Sequence, residues 1–163
     1  MATHTPEEAA KAELDRLTAA FTKADAELEK TRKPLHAAIV RHQKARSARP
    51  SEIADHTPYD RNHVRKVGKD AGVPPLRGPG AGPAPEYDEA TAAKALAELD
   101  TLTAAYKEAE RAVEAAREPL HAAIIRYYSD RTLRPGVIAD HTPYDRNHVG
   151  VIVREAGAPP IRG

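Results

Sequence analysis

The sequence predicts an all-α protein of two homologous modules, each a long heptad-striped helix followed by a three-helix unit. The first observation is a duplication: a shift of 85 positions aligns residues 13–78 with residues 98–163 without gaps, and 38 of the 66 aligned positions are identical. The second is that apolar residues in both copies recur with helical spacing, whereas no stretch alternates as a half-buried strand does. The repeat is too long and occurs too few times for a solenoid.

The duplication and the composition set the expected domain limits. The first repeat covers residues 1–78, a Pro/Gly-rich linker "PGAGPAPE" covers 79–86, and the second repeat covers 87–163. Fully extended, this linker would reach roughly 25 Å. Within the repeats we expect long helices at 6–32 and 88–117, and three-helix units at 34–73 and 119–158.

Each module begins with an acidic, alanine-rich helix. Thr5 before Pro6 is a good start signal, because proline can occupy the first helical position. Pro34 and Pro119 are expected to break or kink the helix, since proline in a helix interior costs about 3 kcal/mol. Apolar residues spaced alternately by three and four form a heptad-type stripe. The stripe consists of Leu14, Leu17, Phe21, Ala24 and Leu28 in the first copy, and of Leu99, Leu102, Tyr106, Ala109 and Val113 in the second.

The stripe allows two kinds of pairing. It can join the two copies within one chain as an antiparallel hairpin, or it can join two chains as a homodimeric coiled coil. Alanines in the stripe permit close packing but limit the buried area, which favours the intramolecular pair.

The three-helix unit starts with "PLHAAIVRHQKAR" at 34–46 and with "PLHAAIIRYYSDR" at 119–131. Two short helical pieces separated by "TPYD" follow, and the last of them ends near Ala71 and Gly72, where glycine is a natural stop. "VPPLRG" then leads out as a polyproline-like arm. His36 and His121 lie in "LHAAI" and are interpreted as helix-packing or capping residues.

Twelve residues, "IADHTPYDRNHV", occur without a difference at Ile53–Val64 and at Ile138–Val149, although all of the next six residues differ. A recent duplication alone would not spare twelve residues and change the following six. Asp60 is the expected N-cap of the second short helix, because its carboxylate can accept from the amide of His63. Thr57 followed by Pro58 is an alternative start. We prefer Asp60 because it leaves Pro58 in the turn.

This stretch resembles the helix-turn-helix of bacterial DNA-binding proteins such as small transcriptional regulators and resolvase C-terminal domains. Proline stands at 58 and 143, where the turn of that motif usually has glycine. The resemblance covers about a third of the chain and implies two short helices packed at a steep angle through a tight turn. The residues that carry it are Ile53, Ala54, Thr57, Tyr59, Val64 and Val67, and their equivalents Ile138, Ala139, Thr142, Tyr144, Val149 and Ile152.

The charge distribution favours a polyanion as partner. Residues 31–78 hold eleven Lys/Arg and four Asp/Glu (+7), and residues 116–163 hold seven and five (+2). The remaining segments, 1–30 and 79–115, come to −3 and −5. A solvated basic surface is the commoner reason for such a bias, but here the basic segments coincide with the helix-turn-helix resemblance.

The resemblance implies sequence-specific binding of double-stranded DNA, as a transcriptional regulator or another DNA-site-binding protein. The N-terminal end of the second short helix would approach base edges, where arginine can bind guanine and asparagine adenine. The expected base contacts are Arg61, Asn62, Arg65, Lys66, Arg146 and Asn147. The expected phosphate contacts are Arg41, Arg46, Arg49, Lys69, Arg126, Arg131, Arg134 and Arg154.

Other interpretations of the same residues remain open. The modules could form a helical protein-interaction or structural protein with degenerate helix-turn-helix units. Arg61 could simply pair with Asp55, and Arg146 with Asp140. His56 and His63 do not have the one-face spacing that metal sites on helices need. We expect neither metal nor cofactor, no enzymatic activity, no small-molecule substrate, no membrane segment and a cytoplasmic location.

Overall fold

The computed structural model describes residues 3–159, and in this range the chain is helical, without strands. The all-α fold class is therefore confirmed. No helix in this range combines the length and the apolar character needed to cross a membrane. Two long helices each precede two short ones. In chain order they are α1 (Pro6–Lys44), α2 (Pro50–Asp55), α3 (Arg61–Asp70), α4 (Glu89–Ser129), α5 (Pro135–Asp140) and α6 (Arg146–Glu155).

Of the two effects expected of the prolines, a break of the long helices was wrong. Helix α1 continues through Pro34, and α4 continues through Pro119. Of the segments expected as separate helices at 34–46 and 119–131, residues 34–44 and 119–129 are therefore the C-terminal parts of α1 and α4. Leu35 and Ile39, which follow the first proline, are both 0% exposed. Burying such side chains contributes about 1.5–3 kcal/mol each, enough to offset the local cost of the proline.

The second residue after each long helix is left-handed but is not glycine. Arg46 has φ 52° and Arg131 has φ 57°. After α1, the amide of Ser47 donates to the carbonyl of His42 at 3.0 Å, which is the hydrogen bond that closes a Schellman motif. After α4, Thr132 donates to Tyr127 in the same way at 3.1 Å. This shared ending directs the chain into α2 and α5.

Two compact units divide the chain, and their limits cross both long helices. Unit 2 is Glu27–Glu110, and unit 1 consists of the described parts of Met1–Ala26 and Arg111–Gly163. Each unit thus contains one pair of short helices, the C-terminal part of the long helix before that pair, and the N-terminal part of the other repeat's long helix. The units do not coincide with the sequence repeats. Residues 160–163, within the second expected repeat, lie outside the described residues.

The core of unit 1 joins the start of the first repeat to the second repeat. Leu14 and Leu17 of α1 are buried in one cluster with residues of α4, α5 and α6, and Phe21 packs against it. Glu13 contacts Arg126 near one end of the shared segment, and the guanidinium of Arg117 lies 5.9 Å from the Phe21 ring nearer the other. The two long-helix segments are therefore antiparallel. The α4, α5 and α6 residues of the cluster include Leu120, Ile124, Ile138, Val149, Ile152 and Val153.

Unit 2 repeats this arrangement with the roles of the copies exchanged. Leu99 of α4 is 0% exposed, as is Ile53 of α2. Arg41 is paired with Glu98, which neighbours Leu99. The stripe thus pairs within the chain, as the intramolecular alternative proposed. A homodimer through the long helices stays a prediction.

Two glycines of the short helices should respond in opposite ways to alanine. A Cβ at Gly68 would lie 2.4 Å from Oε1 of Gln43, whose Nε2 donates to the Val64 carbonyl at 3.0 Å. Gly68→Ala should therefore destabilise the fold by about 1–2 kcal/mol, because Gln43 is buried and would lose its hydrogen bond. Gly150 has open space around a Cβ, so Gly150→Ala should stabilise by about 0.5–1 kcal/mol through helix propensity. Urea unfolding of both variants measures the change in the free energy of unfolding, and equal changes of the same sign would contradict this prediction.

Candidate nucleic-acid interface

The turn between α2 and α3 is closed by an N-cap. The side chain of Asp60 accepts a hydrogen bond from the amide of His63 at 2.7 Å, and α3 begins at Arg61. Asp145 caps α6 in the same way, accepting from His148 at 2.7 Å. The preferred start of the second short helix is confirmed in both copies. Because the cap fixes where the helix begins, it also fixes which side chains stand at its N-terminal end.

Tyr59 joins the turn to the long helix. Its hydroxyl is hydrogen-bonded to Nε2 of His36 at 2.8 Å, and its ring stacks on the His63 ring at 4.4 Å. Burial, together with the neighbouring Tyr106, raises the pKa of Tyr59 to about 12, while burial lowers the pKa of His36. In the second copy Tyr144 has the same bond to His121 at 2.8 Å. The interpretation of these histidines as packing residues is confirmed.

The first histidine of the twelve-residue stretch contacts the other repeat. Nδ1 of His56 lies 2.7 Å from Oδ1 of Asp100, and the His56 carbonyl accepts from the hydroxyl of Thr103 at 3.0 Å. His141 has identical contacts with Asp15 and Thr18 of α1, also at 2.7 and 3.0 Å. Sequence reasoning missed these contacts, although the repeats keep the same Asp and Thr three residues apart. Among residues 3–159 no group of three potential metal ligands occurs.

Most of the twelve identical residues thus have a structural role. Ile53 and Val64 are fully buried, and the hydroxyl of Thr57 donates to the Ala54 carbonyl at 3.3 Å. Arg61 and Asn62 differ from these, because both are exposed. In the part of the chain that the structure describes, no ion pair joins Arg61 to Asp55 or its second-copy equivalent to Asp140. The expected base-reading pair is therefore presented to solvent in both copies.

The outer face of α3 gathers the expected base contacts. At about 100° per residue, its five exposed basic and amide side chains span an arc of about 140°. Buried Val64 and Gly68 lie outside this arc. The equivalent face of α6 holds the same Arg-Asn pair but glycine and valine further along. The face consists of Arg61, Asn62, Arg65, Lys66 and Lys69 in α3, and of Arg146, Asn147, Gly150, Val151 and Arg154 in α6.

Two of the expected phosphate contacts pair with a carboxylate of the other repeat. Arg126 is paired with Glu13 at 2.8 Å, and Arg41 with Glu98, the equivalent pair in the other unit. The pKa of Glu13 is lowered, chiefly by a hydrogen bond from Tyr127. These arginines link the antiparallel segments of the long helices, a role that sequence reasoning missed. To bind a phosphate, each arginine would have to leave its ion pair with glutamate or contact both groups at once.

The other expected phosphate contacts differ in their surroundings. Arg46 donates to the Pro74 carbonyl at 2.9 Å. Arg49 is paired with Glu52 at 3.2 Å, and its guanidinium lies 5.0 Å from the centre of the Tyr87 ring. The remaining four are exposed and make no ion pair within residues 3–159: Lys69, Arg131, Arg134 and Arg154.

Comparisons with models of protein families, with curated proteins and with solved structures found no match for this chain. Each unit presents a capped helix whose outer face carries donor groups, and its geometry is held by Tyr59 or Tyr144 and by the histidine contacts to the other repeat. Such a face can bind a polar, anionic surface that admits a helix.

Proposed function

We propose that this protein binds double-stranded DNA in a sequence-dependent manner, with α3 and α6 as the recognition helices of two helix-turn-helix units. The observation that carries the proposal is the exposure of Arg61 and Asn62 in a stretch in which most other residues have a structural role. Most of the identical residues around them are buried, cap a helix or contact the long helices. The Arg-Asn pair is identical in both copies, although within the described residues it is neither buried nor in contact with the long helices.

The chemistry of the pair suits the major groove of B-DNA. The groove is about 12 Å wide and admits an α-helix. Arginine can form two hydrogen bonds with guanine O6 and N7, and asparagine can form two with adenine N6 and N7. Both side chains stand in the first turn of their helix, which is the part that approaches base edges in helix-turn-helix complexes. Lys69 and Arg154, further along the same faces, would bind phosphates.

This proposal describes a binding protein, such as a transcriptional regulator, and not an enzyme. Selection of bound fragments from a pool of random duplexes, with the full chain, tests it. We expect enrichment of a short core and at least a hundredfold preference for the selected duplex over a scrambled one. The double variant Arg61→Ala/Arg146→Ala should lose most of this preference, whereas Lys23→Ala, an exposed lysine on α1, should keep it. An unenriched pool would overturn the proposal.

The two recognition helices should contribute unequally to the ionic part of binding. Arg65 and Lys66 occupy positions where the second copy has Gly150 and Val151, and residues 31–78 carry +7 against +2 for residues 116–163. The slope of log K against log salt is proportional to the number of phosphates that the protein neutralises, at about 0.9 per phosphate. Arg65→Ala/Lys66→Ala in the full chain should therefore flatten the slope by up to about two units, against about one for Arg154→Ala. An unchanged slope in the double variant would show that neither side chain neutralises a phosphate.

A further inference from the structure

Val151 is an exposed apolar side chain within a polar face. It is 41% exposed, and it is followed in α6 by the buried Ile152 and Val153. These two residues and Val149 are the buried side chains of α6, and Val151 is not among them. Single exposed hydrophobic residues are common. The position of this one is informative, because Asn147 precedes it by four residues and is its neighbour on the helix surface.

The same position in α3 holds Lys66, one turn after Asn62. The scaffold around the two positions is repeated, since both helices begin one residue after an aspartate cap. The exchange of lysine for valine therefore changes the chemistry of the face without moving it. Gly150, just before Val151, leaves open space where the first copy has Arg65, so a base edge could approach this side of α6 closely.

The apolar group that the major groove offers is the 5-methyl of thymine. We propose that Val151 contacts the methyl group of a thymine adjacent to the base pair read by Asn147, which makes the second repeat's half-site richer in A·T. Here a half-site is the stretch of DNA that one repeat binds. At the matching place in the first repeat's half-site, Lys66 contacts a guanine or a phosphate. This inference rests on the proposed function and adds to it that the two half-sites are related but unequal.

Replacing single thymines of the selected duplex by deoxyuridine tests the inference, because the exchange removes only the methyl group. With the full chain, one such exchange in the second half-site should weaken binding about three- to fivefold. Val151→Ala has a shorter apolar side chain and should distinguish the thymine and deoxyuridine duplexes less strongly than the wild type does. Lys66→Val is the matched variant and should acquire a thymine preference in the first half-site.

The ways in which this inference can fail are distinguishable. If the wild-type chain shows no preference among duplexes, the proposed function fails and this inference fails with it. If the preference exists but no thymine exchange weakens binding, the inference alone is overturned. The same holds if Val151→Ala still distinguishes thymine from deoxyuridine as strongly as the wild type does.

Discussion

Leu14→Ala should destabilise the protein by about 2–5 kcal/mol, and it should loosen α5 and α6 of the other repeat before α2 and α3 of its own. Leu14 is 0% exposed and shares a cluster with Ile138 and Val149. Deleting its branched side chain removes buried apolar surface and leaves a cavity in unit 1. Urea unfolding gives the size of the effect, and amide hydrogen exchange gives its place, because exchange should accelerate first in residues 135–155.

Leu99→Ala is the matched control, since Leu99 is the equivalent residue in α4 and is also 0% exposed. It lies between Glu98, paired with Arg41, and Asp100, which contacts His56. Its truncation should accelerate exchange first in residues 50–70. The packing of each long helix's N-terminal part against the short helices of the other repeat would be wrong if each variant instead loosened the short helices of its own repeat.

Arg61→Ala should weaken binding to the selected duplex by about 1–3 kcal/mol and relax the preference at one base pair. The variant cannot form the two hydrogen bonds to guanine, while stability should change little because the side chain is exposed. Fluorescence anisotropy with duplexes that vary one base pair at a time measures both effects. Arg146→Ala should act in the same way on the second half-site.

Lys69→Ala is the control for a phosphate-binding side chain without base preference. It should weaken binding to all duplexes by a similar factor and reduce the salt slope by about one unit. If Arg61→Ala gave this uniform weakening as well, Arg61 would bind a phosphate, and base reading would have to be assigned elsewhere on α3.

Local signals in the sequence predicted the local structure well. The Asp60 cap, the helical spacing and the packing role of His36 all depend on residues close in the chain or within one repeat. The break at Pro34 was wrong because the helix is decided by burial on both sides of the proline, and a local propensity does not include that contribution.

Long-range partners could not be predicted in the same way. A stripe at helical spacing indicates which face of α1 is buried, but it does not indicate which helix covers it. The contact between Asp15 and His141 joins residues 126 positions apart, and that between Glu13 and Arg126 joins residues 113 apart. Arg126 was therefore predicted as a phosphate contact, and its pairing with Glu13 was missed. The contact of His141 with Asp15, and that of His56 with Asp100, account for one identical position of the twelve-residue stretch.

The most direct test of sequence-specific DNA binding is a footprint of the full chain on a long duplex that contains the selected site. We expect protection of the core in two copies, one for each Arg-Asn pair, on an otherwise unprotected duplex. Arg146→Ala should remove protection of one copy while the other is retained at higher protein concentration. Uniform protection along the duplex, or none at concentrations where the chain is folded, would contradict sequence-specific binding by the two repeats.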